Sequence, residues 1–177
     1  MNKFESATLL TVAVLTIASH VFAQGGQTNA PVAAPLAAAP GPSLEAALEA
    51  AQLAIQTCKG LDQKVGVTVV DSAGIPKVVL ATDGATPRGV QSSTNKALTS
   101  LAFKAATSEL DGRSKSDTEL AGKLSANPAF NTHAGGLLIT HGNDVIGAIG
   151  VGGAKGSEKD EACAKAALTR LVAAGPR

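Results

Sequence analysis

Residues 135–154 read GGLLITHGNDVIGAIGVGGA. Two short apolar runs, 137–140 and 145–151, flank His141, Gly142, Asn143 and Asp144. Apolar runs of strand length on either side of a polar, Gly-containing turn predict a β-hairpin. The second run carries Gly147 and Gly150 and ends in Gly152 and Gly153. Glycine has no side chain to pack, so glycines inside a strand predict a bulge, or the close approach of another backbone or of a ligand.

Downstream of this hairpin, residues 157–173 predict a helix, with Cys163, Ala166, Ala167, Arg170 and Leu171 along one stripe. Upstream, 126–134 reads as a loop and 110–124 as a polar helical segment. Residues 91–107 predict a further helix. Thr94, Ala97, Leu98, Leu101, Ala102 and Ala105 make its apolar face, and Lys96, Ser100 and Lys104 its solvated face. The loop 83–89, DGATPRG, separates this helix from a second predicted hairpin. That hairpin has a Val-rich strand at 65–71, a turn containing Gly74, and a strand at 77–82 with Pro76 at its start. Asp71 and Asp83 end its two strands, where short carboxylates commonly cap turns. Before it, Ser43 is a helix cap, Leu44, Ala47, Leu48, Ala51, Ile55 and Cys58 recur at helical spacing, and Gly60 is a stop signal.

The N-terminus reads as a route to another compartment. Lys3 precedes an apolar run over 9–18, and Val21 and Ala23 are small residues ahead of a cleavage after Ala23. Residues 1–23 are thus expected to be a signal peptide. The uncharged Ala/Pro/Gly-rich stretch 24–42 is an expected linker, and 43–174 an expected single domain. Export puts the mature chain in a periplasmic or secreted location, without a membrane span after signal cleavage. Two cysteines remain, Cys58 and Cys163, both on apolar stripes; in an oxidising compartment they read as a disulfide, with two buried thiols as the alternative. The net charge of +1 has no basic cluster behind it, which excludes a nucleic-acid footprint. With no Trp or Tyr, the core must be built from Ala, Val, Leu and Ile.

Four stretches together resemble one family. They are VGVTVVDSAGIPKVVLATDGA (65–85), NKALTSLAFKAATSEL (95–110), the 135–154 hairpin and KDEACAKAAL (159–168). The chain is similar to GlcG/HbpS-type haem-binding proteins and to the C-terminal domain of PduO-type adenosyltransferases over about residues 44–173. Leu138 stands where that family usually has Pro. The resemblance implies an α/β fold of α+β type. An antiparallel sheet of four to five strands would carry the first and last helices on one face and the middle helix on the other. It also implies homo-oligomers and, in some members, binding of haem or a related tetrapyrrole.

A haem site needs an axial ligand, an apolar wall and cationic groups for the propionates. His20 leaves with the signal segment, Tyr is absent and the cysteines are expected to be bridged, so His133 and His141 remain. His141 lies in a hairpin turn. His133 enters the strand that begins at Gly135 and Gly136, and is the expected metal ligand; the two glycines are candidate cofactor-binding residues beside it. Lys96 and Arg88 flank the DGA loop as candidate propionate partners, and Phe130 is a candidate cover for the ring. Residues 150–154, ahead of a helix, make a possible anion cradle. No nucleophile elbow, metal trio or phosphate loop is present in the sequence. The expected function is therefore a non-catalytic binder of haem or a related small molecule. A structural oligomerisation module is the alternative, ahead of a carboxylate enzyme using Asp71 or Asp83 with Lys96.

Overall fold

The computed structural model describes residues 38–173; the expected signal peptide and linker residues 24–37 lie outside them. The elements are α1 (Leu44–Gly60), β1 (Gly66–Asp71), β2 (Pro76–Ala81), α2 (Pro87–Phe103), α3 (Thr107–Ser114), α4 (Thr118–Ser125), β3 (Gly136–His141), β4 (Asp144–Gly152) and α5 (Ser157–Ala173). Both predicted hairpins form, β1–β2 and β3–β4, and they join through β1 and β4 into one antiparallel sheet of order β2-β1-β4-β3. The fold class is the α+β arrangement expected. Among the described residues no helix is long and apolar enough to cross a membrane.

Strand alternation makes the two sheet faces unlike. Val67 and Val69 of β1, with Ile149 and Val151 of β4, pack in the main core with α1 and α5. The intervening positions, Gly66, Thr68, Val70, Ala148, Gly150 and Gly152, are small or short and face α2. A Cβ at Gly150 would collide with the Ser93 carbonyl oxygen, and one at Gly136 with that of Lys96. The strand glycines therefore serve the close approach of a helix backbone.

That approach overturns the expected face of α2. Along α2 the buried residues include Gly89, Ser93, Lys96, Ala97, Thr99 and Ser100, while Leu98 is 36% exposed. The apolar face read from the sequence is thus rotated. A helix backbone lying on strand glycines has room beneath it only for small side chains, and hydroxyls substitute for apolar groups where they find partners. Thr68 Oγ1 shares hydrogen bonds with Ser93 Oγ (2.8 Å) and Thr94 Oγ1 (3.0 Å). Ser100 Oγ donates to the Ala105 carbonyl. The helix also begins earlier than expected. Thr86 Oγ1 accepts from Gly89 N and Pro87 sits in the first turn, where its fixed φ is favourable. It ends earlier too, at Lys104 in the left-handed conformation.

The same rotation occurs in α1, which buries Ala46, Ala47, Ala50, Ala51, Ala54 and Cys58 and leaves Leu44 63% exposed. It runs through Gly60, and the left-handed residue beyond it is Asp62. Alanine permits the close pairing of α1 with α5 that brings Cys58 and Cys163 together as a disulfide with a Cα–Cα distance of 5.6 Å. The polar segment expected as one helix over 110–124 is two short ones. Asp117 Oδ1 caps the second by accepting from Leu120 N. Their apolar residues form a satellite cluster with Phe103 and Phe130, whose rings meet edge to face at 5.1 Å.

Candidate functional site

Helix α2, the segment before β3, and the β4–α5 connection converge at one end of the sheet. Between them run two adjoining hollows of about 430 and 460 Å³. Both are lined by Arg88, Ser92 and His133, so they form one groove with two lobes. Gly153, Ala154, Ser157 and Asp160 complete one lobe; Pro128 and Phe130 help to line the other. Each lobe is within the range of about 300–1,000 Å³ usual for small-molecule sites.

His133 is held by its main chain and left free at its ring. Its N–H donates to Asn131 Oδ1 (3.0 Å), and its carbonyl accepts from Thr107 Oγ1 (2.8 Å). Thr107 Oγ1 in turn accepts from Gly136 N (2.9 Å). Asn131 is fixed to α2 twice, through its N–H to Thr99 Oγ1 and its Nδ2 to Ser92 Oγ, both at 2.9 Å. A pinned backbone carrying an exposed imidazole is a pre-oriented donor. Arg88, in the first turn of α2, is exposed on the same groove.

Lys96 does not reach the groove surface. It is 2% exposed, and its ammonium donates to Asp160 Oδ2 at 2.7 Å. Asp160 Oδ1 accepts from Ala154 N (3.0 Å). Of the N–H groups expected to cradle an external anion, those of Ala154 and Gly153 therefore already serve the chain's own carboxylate. Burial pushes the Asp160 carboxyl above its ordinary value, against the opposing pull of Lys96 and of the Ala154 and Gly153 N–H groups. Gly135 and Gly136 lie behind the groove, buried against Lys96 and Thr107. Asp71 caps its turn, Oδ1 accepting from Ala73 N and Ile75 N, and is distant in the chain and in bonding from Lys96.

His141 belongs to the opposite end of the sheet. There a hollow of about 680 Å³ is lined by Leu101, Lys104, His141, Val145 and Ile146 among others. The structure thus gives His133 and His141 separate grooves and brings Arg88 and Phe130 to that of His133. Among the described residues no group of three or more His, Cys, Asp or Glu side chains is placed to hold a metal ion.

Asn131, Thr107 and Asp160 were missed as site residues in the sequence. Asp160 was visible only as part of the KDEACAKAAL resemblance. Each has a partner 26 to 64 residues away, beyond any local pattern.

Residues 43–169 match the family model described as haem degrading protein HbpS-like. A double mutant of HbpS from Streptomyces reticuli is 36% identical, with a TM-score of 0.70, covering 80% of this chain and 97% of that one. The ORFY protein of Klebsiella pneumoniae is 26% identical, with a TM-score of 0.69, covering 77% and 94%. A PduOC structure, determined as a complex with haem, is 25% identical, with a TM-score of 0.68, covering 74% and 95%. No curated protein matches the chain. A family match over 43–169, on a sheet and helix arrangement shared with these structures, means that this chain belongs to the HbpS-like family.

Proposed function

We propose that this chain is an exported, non-catalytic binding protein for haem or a related tetrapyrrole, and that the ligand sits in the groove between α2 and the segment before β3. The observation that carries this reading is His133, whose backbone is fixed by Thr107 and Asn131 while its ring stands in a groove shared with Arg88. The donor set fits the group. An imidazole is a haem-iron ligand, a guanidinium pairs with a propionate carboxylate, and Phe130 with Pro128 supplies an apolar edge. Bound haem would supply the iron, and His133 would ligate it. Lys96, Gly135 and Gly136 support the groove from behind. The haem complex of the PduOC relative supports the choice of ligand, and the disulfide, which persists in oxidising compartments, supports export to a periplasmic or secreted location. Exposed Val79, on the face of β2 away from the main core, with exposed Ile75 and Leu98, supports self-association.

The test is a hemin titration of residues 24–177, followed by absorbance, beside His133→Ala and His141→Ala. A saturable, shifted Soret band lost only in His133→Ala is the expected result. Loss only in His141→Ala would transfer the site to the groove at the opposite end, which has apolar Leu101, Val145 and Ile146 in its lining. No saturable band would defeat the tetrapyrrole reading. The family's description names haem degradation, so the complex is then held in air with ascorbate. A persistent Soret band marks a binder, and steady bleaching an enzyme.

A further inference from the structure

The groove has three walls from distant parts of the chain, and one buried ion pair touches all three. Lys96 belongs to α2, the helix that carries Arg88 and Ser92. Asp160 lies in the first turn of α5, and its Oδ1 fixes the Ala154 N–H on the opposite wall. Between them lies Gly135, two residues from His133. A Cβ there would meet Asp160 Cβ at 2.9 Å and Lys96 Nζ at 3.1 Å, and φ at this glycine is +128°. The Gly135 carbonyl accepts from Val151 N, tying the same point to β4. Lys96 and Asp160 side chains are 2% and 4% exposed, and Asp160 contributes to the groove floor.

Stability alone does not account for such a pair. Taking two charges out of water carries a large desolvation penalty, and well-packed apolar replacements are often neutral or stabilising. What a carboxylate does here that an apolar side chain cannot is accept the Lys96 ammonium and the Ala154 N–H at once.

We infer that Lys96 and Asp160 are positioning residues that set the relative placement of His133, Arg88 and the Gly153–Ala154 wall. The inference deepens the tetrapyrrole reading and rests on it for its binding readout. Lys96 is sealed from the groove and Asp160 is only 4% exposed at its floor, so the pair acts chiefly through the walls it joins.

The test uses two double variants of residues 24–177, each of which removes both charges together so that neither remains buried alone. Lys96→Met/Asp160→Leu deletes every hydrogen bond of the pair. Lys96→Met/Asp160→Asn keeps an amide oxygen able to accept from Ala154 N–H. Hemin affinity, thermal midpoint and amide hydrogen exchange at Ala154 and Val151 are measured for each. For the Met/Leu variant we expect a thermal midpoint close to wild type, hemin binding weaker by about tenfold or more, as for lost outer-shell partners, and faster Ala154 exchange. The Met/Asn variant should recover Ala154 protection and part of the affinity. Unchanged affinity and exchange in the Met/Leu variant would overturn the inference. So would parallel losses of affinity and thermal midpoint in both variants, because they would mark a merely structural pair. If wild type itself binds no hemin, the tetrapyrrole reading fails, and amide exchange in the ligand-free protein alone decides the positioning role.

Discussion

Asp160 and Glu161 are neighbours in α5 whose carboxyl groups move in opposite directions. Burial is the largest influence on both and pushes both up. For Asp160 it prevails over the bonds from Lys96 and the Ala154 and Gly153 N–H groups. For Glu161 it is outweighed by hydrogen bonds from Lys165 and Ser108 together with the charges of Lys165 and Lys96, so its carboxyl lies below the ordinary value. Native Glu161 therefore holds its proton less tightly than the unfolded chain does. Its contribution is complete above the unfolded value of 4.5 and is lost as pH falls through the lower folded value. Asp160 has the opposite sign: its contribution falls as pH rises from 3.8 through its raised folded value. Lys165 is 65% exposed, so solvent screens the Glu161 pair. Glu161→Gln is then expected to cost only about 0.5–1 kcal/mol at neutral pH. Urea unfolding of both proteins checks this, and the difference should shrink toward zero as pH is lowered below the Glu161 window. At this scale His133 and Arg88 were legible by elimination and by their place beside glycine-rich segments. The burial of Lys96 was not, because a lysine between Asn95 and Ala97 on a helix reads as solvated until its carboxylate partner, 64 residues on, is known.

Helix α2 shows how an element's face is chosen by its neighbour. Periodicity in 91–105 favours the side bearing Leu98 and Ala102, but the sheet offers that helix a floor of Gly66, Gly136, Gly150 and Gly152. Closest approach goes to the side bearing Gly89, Ser93 and Ala97, and Leu98 is left outside. Gly150 is the sensitive point, since an added methyl meets the Ser93 carbonyl oxygen and the Ala97 nitrogen, both main-chain atoms that cannot swing away. Gly150→Ala is expected to destabilise by about 1–3 kcal/mol, the usual cost of overpacking. Because α2 carries Arg88 and one side of the groove, the same variant should also weaken hemin binding more than Gly122→Ala, at a helix position where an added Cβ meets nothing. Chemical denaturation with a parallel hemin titration measures both.

Across the whole molecule, the unusual feature is a core with few large side chains. The face of α1 buries mainly alanines, and at about 0.8 kcal/mol per buried methyl they contribute only some few kcal/mol in all. The disulfide joins this helix to α5 across a separation of 105 residues. A crosslink of that span contributes typically about 2–4 kcal/mol, up to about 4.7 in the chain-entropy model. It is thus comparable to the whole apolar gain of α1. The double variant Cys58→Ala/Cys163→Ala is expected to lose about 2–4 kcal/mol in urea unfolding, and adding reductant should lower wild type toward the same midpoint while leaving the variant unmoved. Equal midpoints for variant and oxidised wild type would contradict the crosslink's role.

The sequence by itself determined the two hairpins, the helices at 44–60 and 157–173, the convergence of both cysteines on inward stripes, and the family. These depend on local alternation, helical spacing, turn residues and short motifs, all carried within one segment at a time. Only the tertiary structure decided which faces of α1 and α2 are buried, that Lys96 belongs to Asp160, and that His133 rather than His141 shares a groove with Arg88 and Phe130. Those outcomes depend on how close two backbones can come and on which charges share one desolvated space. Both are properties of segments far apart in the chain, and no local pattern encodes them.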